Sequence, residues 1–154
     1  MWADEHDWKN YPELTNSQLA EFGFMSPHEQ ITEGFWAEVV RVHDGDTFLL
    51  RCDFRDFGFS VRLVSVDCPE LNTGVPGEEA RDFCAGLCLG ELVFVRVDRR
   101  NRVDKYGRLL GDVIVGGMSV SEMLMMFGLA WPFGRRREGE LPDLNKDLGV
   151  RRWF

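Results

Sequence analysis

The 154-residue sequence has no long apolar run, so no membrane-spanning helix is expected. A spanning helix needs about 18 consecutive apolar residues, and the apolar stretches here are far shorter. The first ten residues, MWADEHDWKN, have neither the basic region nor the apolar region of a secretory signal. The sequence therefore predicts an intracellular protein that does not associate with a membrane.

Cysteine and histidine are scarce, which argues against two kinds of covalent or metal framework. Without an export signal, we expect the cysteines to be reduced thiols rather than disulfide partners. The histidines lack the spacing that would complete a zinc site with two cysteines. We interpret the cysteines as small buried apolar residues. They are Cys52, Cys68, Cys84 and Cys88.

The chain also lacks an excess of positive charge, since its net charge is -8. Strong non-specific adhesion to DNA is therefore not expected. The charge is uneven, however: residues 1–34 hold seven acidic residues against one lysine and carry -6 of that total. Basic residues cluster locally in DRRNR (98–102), DKYGR (104–108) and GRRRE (134–138). Such patches are compatible with contacts to phosphate groups.

This charge distribution suggests three segments. Residues 1–34 form an acidic N-terminal extension whose aromatic content is too high for a disordered tail, so we expect much of it to pack on the body. Within it, Thr15 or Asn16 is a candidate cap for a short helix that ends near Gly23. Residues 35–134 form the main domain. Residues 135–154 form a C-terminal tail, in which Trp153 and Phe154 are expected to dock on the body.

The main domain reads as mostly β with helices, an α+β fold. Two β-rich runs flank the Asp-Gly turn in HDGD, which is a strong hairpin signal, and a third run follows in meander order. About five short strands with two to three packed helices predict a small five-stranded β-barrel of the OB type. The predicted strands are 35–42, 47–52, 59–66, 91–97 and 108–115, and the predicted helices are 78–90 and 119–130.

Four ionisable residues stand at or just beyond the ends of these strands, and a fifth, Arg62, interrupts the apolar run in the middle of the third strand; together they suit phosphodiester hydrolysis. Two carboxylates offer oxygen ligands to a hard divalent cation, a third carboxylate suits a general base, and two guanidiniums suit a phosphate clamp. These residues are Asp46 and Asp67, Glu70, and Arg62 with Arg108.

Simpler interpretations remain open for each residue taken alone. Asp44 and Asp46 are also typical turn residues, and Arg62 could be half of an ion pair with Asp67 or Glu70. An EF-hand is excluded, because the loop that would begin at Asp44 has Phe48 at its fifth position.

Together, the order DGDT, RLVSVDCPE and DKYGR, followed by an apolar helix ending in GLA, resembles the staphylococcal nuclease family. The similarity extends from about Phe35 to Ala130. It implies an OB-type five-stranded barrel with packed helices, and a calcium-dependent phosphodiesterase that cuts DNA and RNA.

The resemblance also implies roles for individual residues. Asp46 would be a calcium ligand, whereas Asp44 would shape the turn. Asp67 and the main-chain carbonyl of Cys68 would be further calcium ligands, and Glu70 would be the general base. The resemblance makes Arg62 and Arg108 phosphate-binding residues, and Lys105 and Tyr106 substrate contacts.

Two points stay open in this comparison. The family's base-stacking aromatic pair after the last helix has no clean match, although Trp131, Phe133 and Arg135 lie nearby. The alternative function is a non-catalytic module of the same fold that binds nucleic acid or protein. The presence of all five candidate catalytic and metal-binding side chains favours the nuclease.

The acidic extension is a candidate docking arm for a protein partner or a cover for the basic loops.

Overall fold

The computed structural model describes residues 5–136 and 140–143. Eight strands and three α-helices lie within these residues, numbered here in chain order. The strands are β1 (Phe35–Asp44), β2 (Thr47–Arg51), β3 (Phe59–Leu63), β4 (Val66–Asp67), β5 (Leu92–Arg96), β6 (Leu109–Val115), β7 (Met118–Ser119) and β8 (Trp131–Pro132). The helices are α1 (Asn16–Phe22), α2 (Val75–Cys88) and α3 (Val120–Met126).

Five of these strands close into a barrel in the order β3-β2-β1-β5-β6. Neighbours in this order are antiparallel, and a parallel pairing of β3 with β6 completes the closure. The predicted hairpin forms at the Asp-Gly turn, where Asp44 stands opposite Thr47. The predicted α+β class, with a five-stranded barrel and helices, is confirmed.

The barrel interior is filled by side chains that alternate along the strands. Along β1, for example, Phe35, Ala37 and Val39 are buried, whereas Trp36 is exposed. This period of two is the signature of a strand with one face on a core. All four cysteines are buried and free, which agrees with their interpretation as apolar core residues.

The N-terminal segment packs on the barrel through a buried ionic cluster. Thr15 caps α1 in a capping box with Gln18. Just before it, the carboxylate of Glu13 is fully buried and pairs with the guanidiniums of Arg55 and Arg102. The described part of residues 1–34 is therefore built into the fold, while a domain division at residue 34 stays a prediction.

Three predicted element boundaries differ from the structure by three or four residues, each for a local reason. The third strand ends at Leu63, because Val66 and Asp67 leave the barrel to pair with β8. Helix α2 begins earlier, at Val75, since Pro76 fits a first helical turn where no N–H partner is needed. Helix α3 ends at Met126, and Gly128 then adopts a positive φ of 68°.

The described residues contain no helix long and apolar enough to cross a membrane. The predicted docking of Trp153 and Phe154 concerns residues outside the described part of the chain.

Candidate active site

The centre of the site is formed where the β1–β2 turn meets β3 and β4. Pairing of β2 with β3 sets Thr47 opposite Arg62, so Asp46 in the adjacent turn lies beside the Arg62 side chain. The main-chain N–H of Leu63 donates to the Asp46 carbonyl oxygen over 2.8 Å, which fixes the turn to β3. Asp67 reaches the same place from the end of β4.

The Arg62 guanidinium is buried, and its two terminal nitrogens donate to four oxygen acceptors. Its Nη2 donates to Asp67 Oδ1 and, over 3.4 Å, to Asp46 Oδ2. Its Nη1 donates to the carbonyl oxygens of Leu63 and, over 2.9 Å, Val66. The ion pair expected as the simpler interpretation is present, and it joins both candidate metal-binding carboxylates to one cation.

Asp46 is held as a buried carboxylate by the surrounding backbone. Its Oδ2 accepts the main-chain N–H of Cys68 over 3.0 Å, while the carboxylate of Asp44 accepts the main-chain N–H of Asp46 over 3.3 Å. Burial, and then the nearby Asp44 carboxylate, raise the pKa of Asp46 to about 6. A cation placed here would favour the ionised form of Asp46.

Two glycines let backbone segments approach the site closely. A Cβ on Gly45 would lie 2.7 Å from Cys68 Sγ, and a Cβ on Gly77 would lie 2.1 Å from the carbonyl oxygen of Glu70. A Cβ does not tolerate such short separations, from a side-chain atom at Gly45 or from a backbone atom at Gly77. Gly77 in the first turns of α2 thereby sets the position of the loop that carries Glu70. The sequence motifs did not indicate either role.

Arg136 joins the site and was missed by the sequence reasoning. Its Nη1 donates to Glu70 Oε1 over 3.1 Å, and its Nη2 donates to the carbonyl oxygen of Cys68. The same Nη2 lies 3.8 Å from Asp46 Oδ2 and from Asp67 Oδ1. The GRRRE run was a visible signal of positive charge, but nothing in it specified a return of the chain to the acidic residues.

The candidate phosphate-binding residues line a neighbouring cleft of about 660 Å³. Its lining includes Arg62, Asp67, Lys105, Tyr106, Arg108 and Phe133. Seven of the eight predicted site residues therefore lie in one region, where they contact each other or line the same cleft. The eighth, Glu70, is connected to them through Arg136.

The far wall of this cleft is ordered by one aspartate. Asp104 Oδ1 accepts the main-chain N–H groups of Tyr106 and Arg108, each over 2.9 Å. Asp104 Oδ2 accepts Arg108 Nε over 2.8 Å. The Arg108 guanidinium carbon also lies 5.3 Å from the centre of the exposed Tyr106 ring. Arg108 is therefore held at the cleft but still part-exposed, as a ligand contact requires.

The donor set at the centre suits a hard divalent cation. Two carboxylates and one carbonyl oxygen, from Asp46, Asp67 and Cys68, converge on the guanidinium of Arg136. Calcium commonly combines such groups with water. Within the described residues, no group of three or more His, Cys, Asp or Glu side chains is placed to hold a metal ion. The Cys68 thiol is unsuited as a ligand, because burial raises its pKa.

Comparison with known proteins identifies the family of the chain. Residues 60–147, more than half of the chain, match the family described as staphylococcal nuclease homologue. Similar curated proteins include a thermonuclease of Staphylococcus hyicus, with 36% identity over 98 residues, which cover 60% of this chain and 56% of the relative.

Two further relatives extend the similarity. Endonuclease YncB of Bacillus subtilis is 38% identical over 95 residues, covering 58% of this chain and 44% of the relative. Staphylococcal-like nuclease CAN1 of Arabidopsis thaliana is 35% identical over 79 residues, covering 49% of this chain and 22% of the relative. The chain spans about half the length, or less, of these relatives.

Proposed function

The chain belongs to the staphylococcal nuclease homologue family, and on that premise we propose that it is a calcium-dependent nuclease that hydrolyses phosphodiester bonds of DNA, RNA or both. The observation that carries the proposal is the placement of Asp46 and Asp67 around one buried guanidinium, at the edge of a cleft that a second arginine also lines. The names of its relatives, thermonuclease and endonuclease, support the same reaction class.

Calcium would be held by the carboxylates of Asp46 and Asp67 and by the main-chain carbonyl of Cys68. When bound, the cation supplies positive charge to polarise the phosphate group. The burial of Asp46 supports this assignment, since a desolvated carboxylate gains most from a nearby cation. The identity of the side chain at position 68 has little effect in this arrangement, because the main-chain carbonyl would be the donor.

Arg62 and Arg108 would bind the oxygens of the scissile phosphate. As negative charge grows on these oxygens during attack, two fixed guanidiniums stabilise it without having to reorganise. Lys105 and Tyr106, on the loop before Arg108, would contact an adjacent phosphate. The Lys105 ammonium nitrogen lies 5.1 Å from the centre of the exposed Tyr106 ring, so both groups can reach the same ligand.

Glu70 would act as the general base. Its side chain is 59% exposed, so a water molecule can reach it from the solvent. The water oxygen forms the new bond to phosphorus, its proton passes to the Glu70 carboxylate, and the bond from phosphorus to the leaving ester oxygen breaks. General-base catalysis of this kind contributes about 10²–10⁴-fold to a rate.

The proposal is tested by cleavage of fluorescently labelled single-stranded DNA and RNA in calcium buffer. Asp67→Asn removes one proposed ligand charge and is expected to lower the cleavage rate at least about 10²-fold, as does loss of a preorganised electrostatic group. Asp53→Asn, at an exposed turn outside the site, is the matched control and should cleave like the wild type. Binding of both nucleic acids without cleavage by the wild-type protein would instead identify a binding module.

A further inference from the structure

The guanidinium of Arg136 lies among the oxygen atoms that would surround the proposed calcium ion. It donates to the Cys68 carbonyl oxygen and to Glu70 Oε1, and it lies 3.8 Å from the nearest carboxylate oxygens of Asp46 and Asp67. One side chain thus contacts every proposed metal-binding residue and the proposed base.

The backbone before Arg136 explains why its side chain returns to the site. Strand β8 pairs with β4, with Trp131 opposite Asp67. The main-chain N–H of Gly134 then donates to Asp67 Oδ2 over 3.0 Å, and Gly134 adopts a positive φ of 81°. This turn, which glycine favours, directs the following residues back across the acidic groups. The placement of Arg136 therefore follows from pairing and turn geometry.

Charge and exposure distinguish Arg136 from the other arginine at the centre. In the described part of the chain, the cations paired with both Asp46 and Asp67 are Arg62 and Arg136. The Arg62 side chain is 9% exposed and is also anchored by two carbonyl oxygens, whereas the Arg136 side chain is 32% exposed. Arg62 is a fixed part of the site, while Arg136 can leave into solvent without breaking the barrel.

We propose that Arg136 is the resident counter-ion of the metal-free site, and that a divalent cation binds there by displacing its guanidinium. The inference rests on the proposed calcium site and adds a regulatory contact to it. A positive side chain close to two carboxylates and the same carbonyl competes directly with a metal ion for those oxygens. Calcium affinity is then set partly by how strongly Arg136 holds the site.

The experiment measures calcium binding by isothermal titration calorimetry, with no nucleic acid present. The variants are Arg136→Gln and, as a charge-matched control, Arg51→Gln, which removes an exposed arginine paired with Glu38 over 3.1 Å. We expect Arg136→Gln to lower the calcium Kd about three- to fivefold, a range set by the modest strength of part-exposed ion pairs. Arg51→Gln should leave the Kd within about twofold of the wild-type value.

Thermal unfolding of the same proteins gives a second readout. Without calcium, Arg136→Gln should melt at a lower temperature than the wild type, because like charges at Asp46 and Asp67 lose a counter-ion. The rise in melting temperature on adding calcium should be larger in this variant, since the cation replaces the missing charge.

The outcomes separate this inference from the proposed function. Equal calcium affinities in the wild type and Arg136→Gln, or weaker binding in the variant, would overturn the counter-ion role while leaving the calcium site intact. Failure of all three proteins to bind calcium at millimolar concentration would overturn the proposed calcium site, and the counter-ion role with it.

Discussion

Two clusters of arginines and carboxylates in this protein have the same side-chain chemistry but differ in burial: one is enclosed in the core and the other borders the cleft. In the buried cluster, one carboxylate, Glu13, lies between Arg55 and Arg102, and none of the three side chains is more than 1% exposed. In the cleft cluster, Asp46, Asp67 and Glu70 meet Arg62 and Arg136. Two of these side chains, Glu70 and Arg136, reach the solvent.

The buried cluster is sealed from solvent and anchored by backbone contacts. Arg102 donates to the carbonyl oxygens of Ile31 and Leu14 over 2.6 and 3.0 Å, in addition to its pair with Glu13. The Arg55 guanidinium carbon lies 4.5 Å from the centre of the Phe59 ring, so an aromatic face covers part of the charge. The cluster fastens the N-terminal segment to the barrel.

The cleft cluster differs from the buried cluster in the sign of its excess charge and in its accessibility to solvent. Carboxylates outnumber guanidiniums there, and the cluster borders a cleft of about 660 Å³. An excess of oxygen acceptors beside an open volume is suited to a cation and a phosphate ester, whereas an excess of guanidiniums sealed in the core is suited to holding two segments together. Access and charge balance, rather than residue type, distinguish a site from a structural tie.

Among the substitutions in the two clusters, Glu70→Gln is expected to have the largest effect. We expect turnover to fall about 10²–10⁴-fold, because the amide cannot accept the proton of the attacking water. The free energy of unfolding should change little, since the side chain is 59% exposed. Glu79→Gln, on the exposed face of α2, is the control and should keep wild-type turnover. Near-normal turnover of Glu70→Gln would remove this residue from the mechanism.

Glu13→Ala should show the reverse pattern. It leaves two buried guanidiniums without their carboxylate, and we expect a loss of about 3–5 kcal/mol in the free energy of unfolding. Turnover per folded molecule should be retained. Chemical denaturation measures the first quantity, with Glu38→Ala as the exposed ion-pair control at about 1 kcal/mol or less. Equal effects of the two substitutions would mean that the buried cluster is no structural tie.

Gly77→Ala probes how the fold positions the base. The new methyl group would lie 2.1 Å from the Glu70 carbonyl oxygen, so the loop that carries Glu70 must shift. Displacements of about 1 Å can cost up to 10²-fold in rate, and we expect turnover to fall about ten- to a hundredfold. Gly86→Ala on the same helix meets no atom within 4 Å and should stabilise the protein slightly without changing turnover. Matching kinetics of the two variants would contradict this role of Gly77.

Tyr106→Ala should have the smallest effect. Its ring lies 5.3 Å from the guanidinium carbon of Arg108, and loss of this contact weakens the hold on that side chain by about 1 kcal/mol. The KM for single-stranded DNA should therefore rise about fivefold. Tyr106→Phe keeps the ring and serves as the comparison in steady-state kinetics. A rise in KM as large in Tyr106→Phe would assign the effect to the hydroxyl group instead.

The barrel and the grouping of its candidate residues could be predicted because they follow from local patterns. The Asp-Gly turn set the first hairpin, and alternation along β1 marked its buried face. The positions of Asp46, Arg62 and Asp67 at neighbouring strand ends then follow from strand pairing. The break after Leu63 could not be predicted in the same way. Val66 pairs with Pro132 and Asp67 pairs with Trp131, so β4 leaves the barrel for a partner strand that is distant in the sequence.

The contacts of Glu13 and Arg136 were hidden from sequence reasoning for a related reason. Glu13 looked like one of many acidic residues in the N-terminal extension, and only the tertiary fold places it between two arginines that lie 42 and 89 residues away. Arg136 belonged to a basic run with no period. Its role depends on a glycine turn after a two-residue strand, which is too short to leave a pattern.

The most direct test of the account is single-turnover cleavage of a labelled single-stranded DNA by the wild-type protein, first with calcium and then with excess chelator. Cleavage that requires calcium and stops when the chelator is added is the predicted result, and it would establish the cleft cluster as a metal-dependent catalytic site. Cleavage that continues unchanged in the chelator, or DNA binding without cleavage at any calcium concentration, would contradict the account.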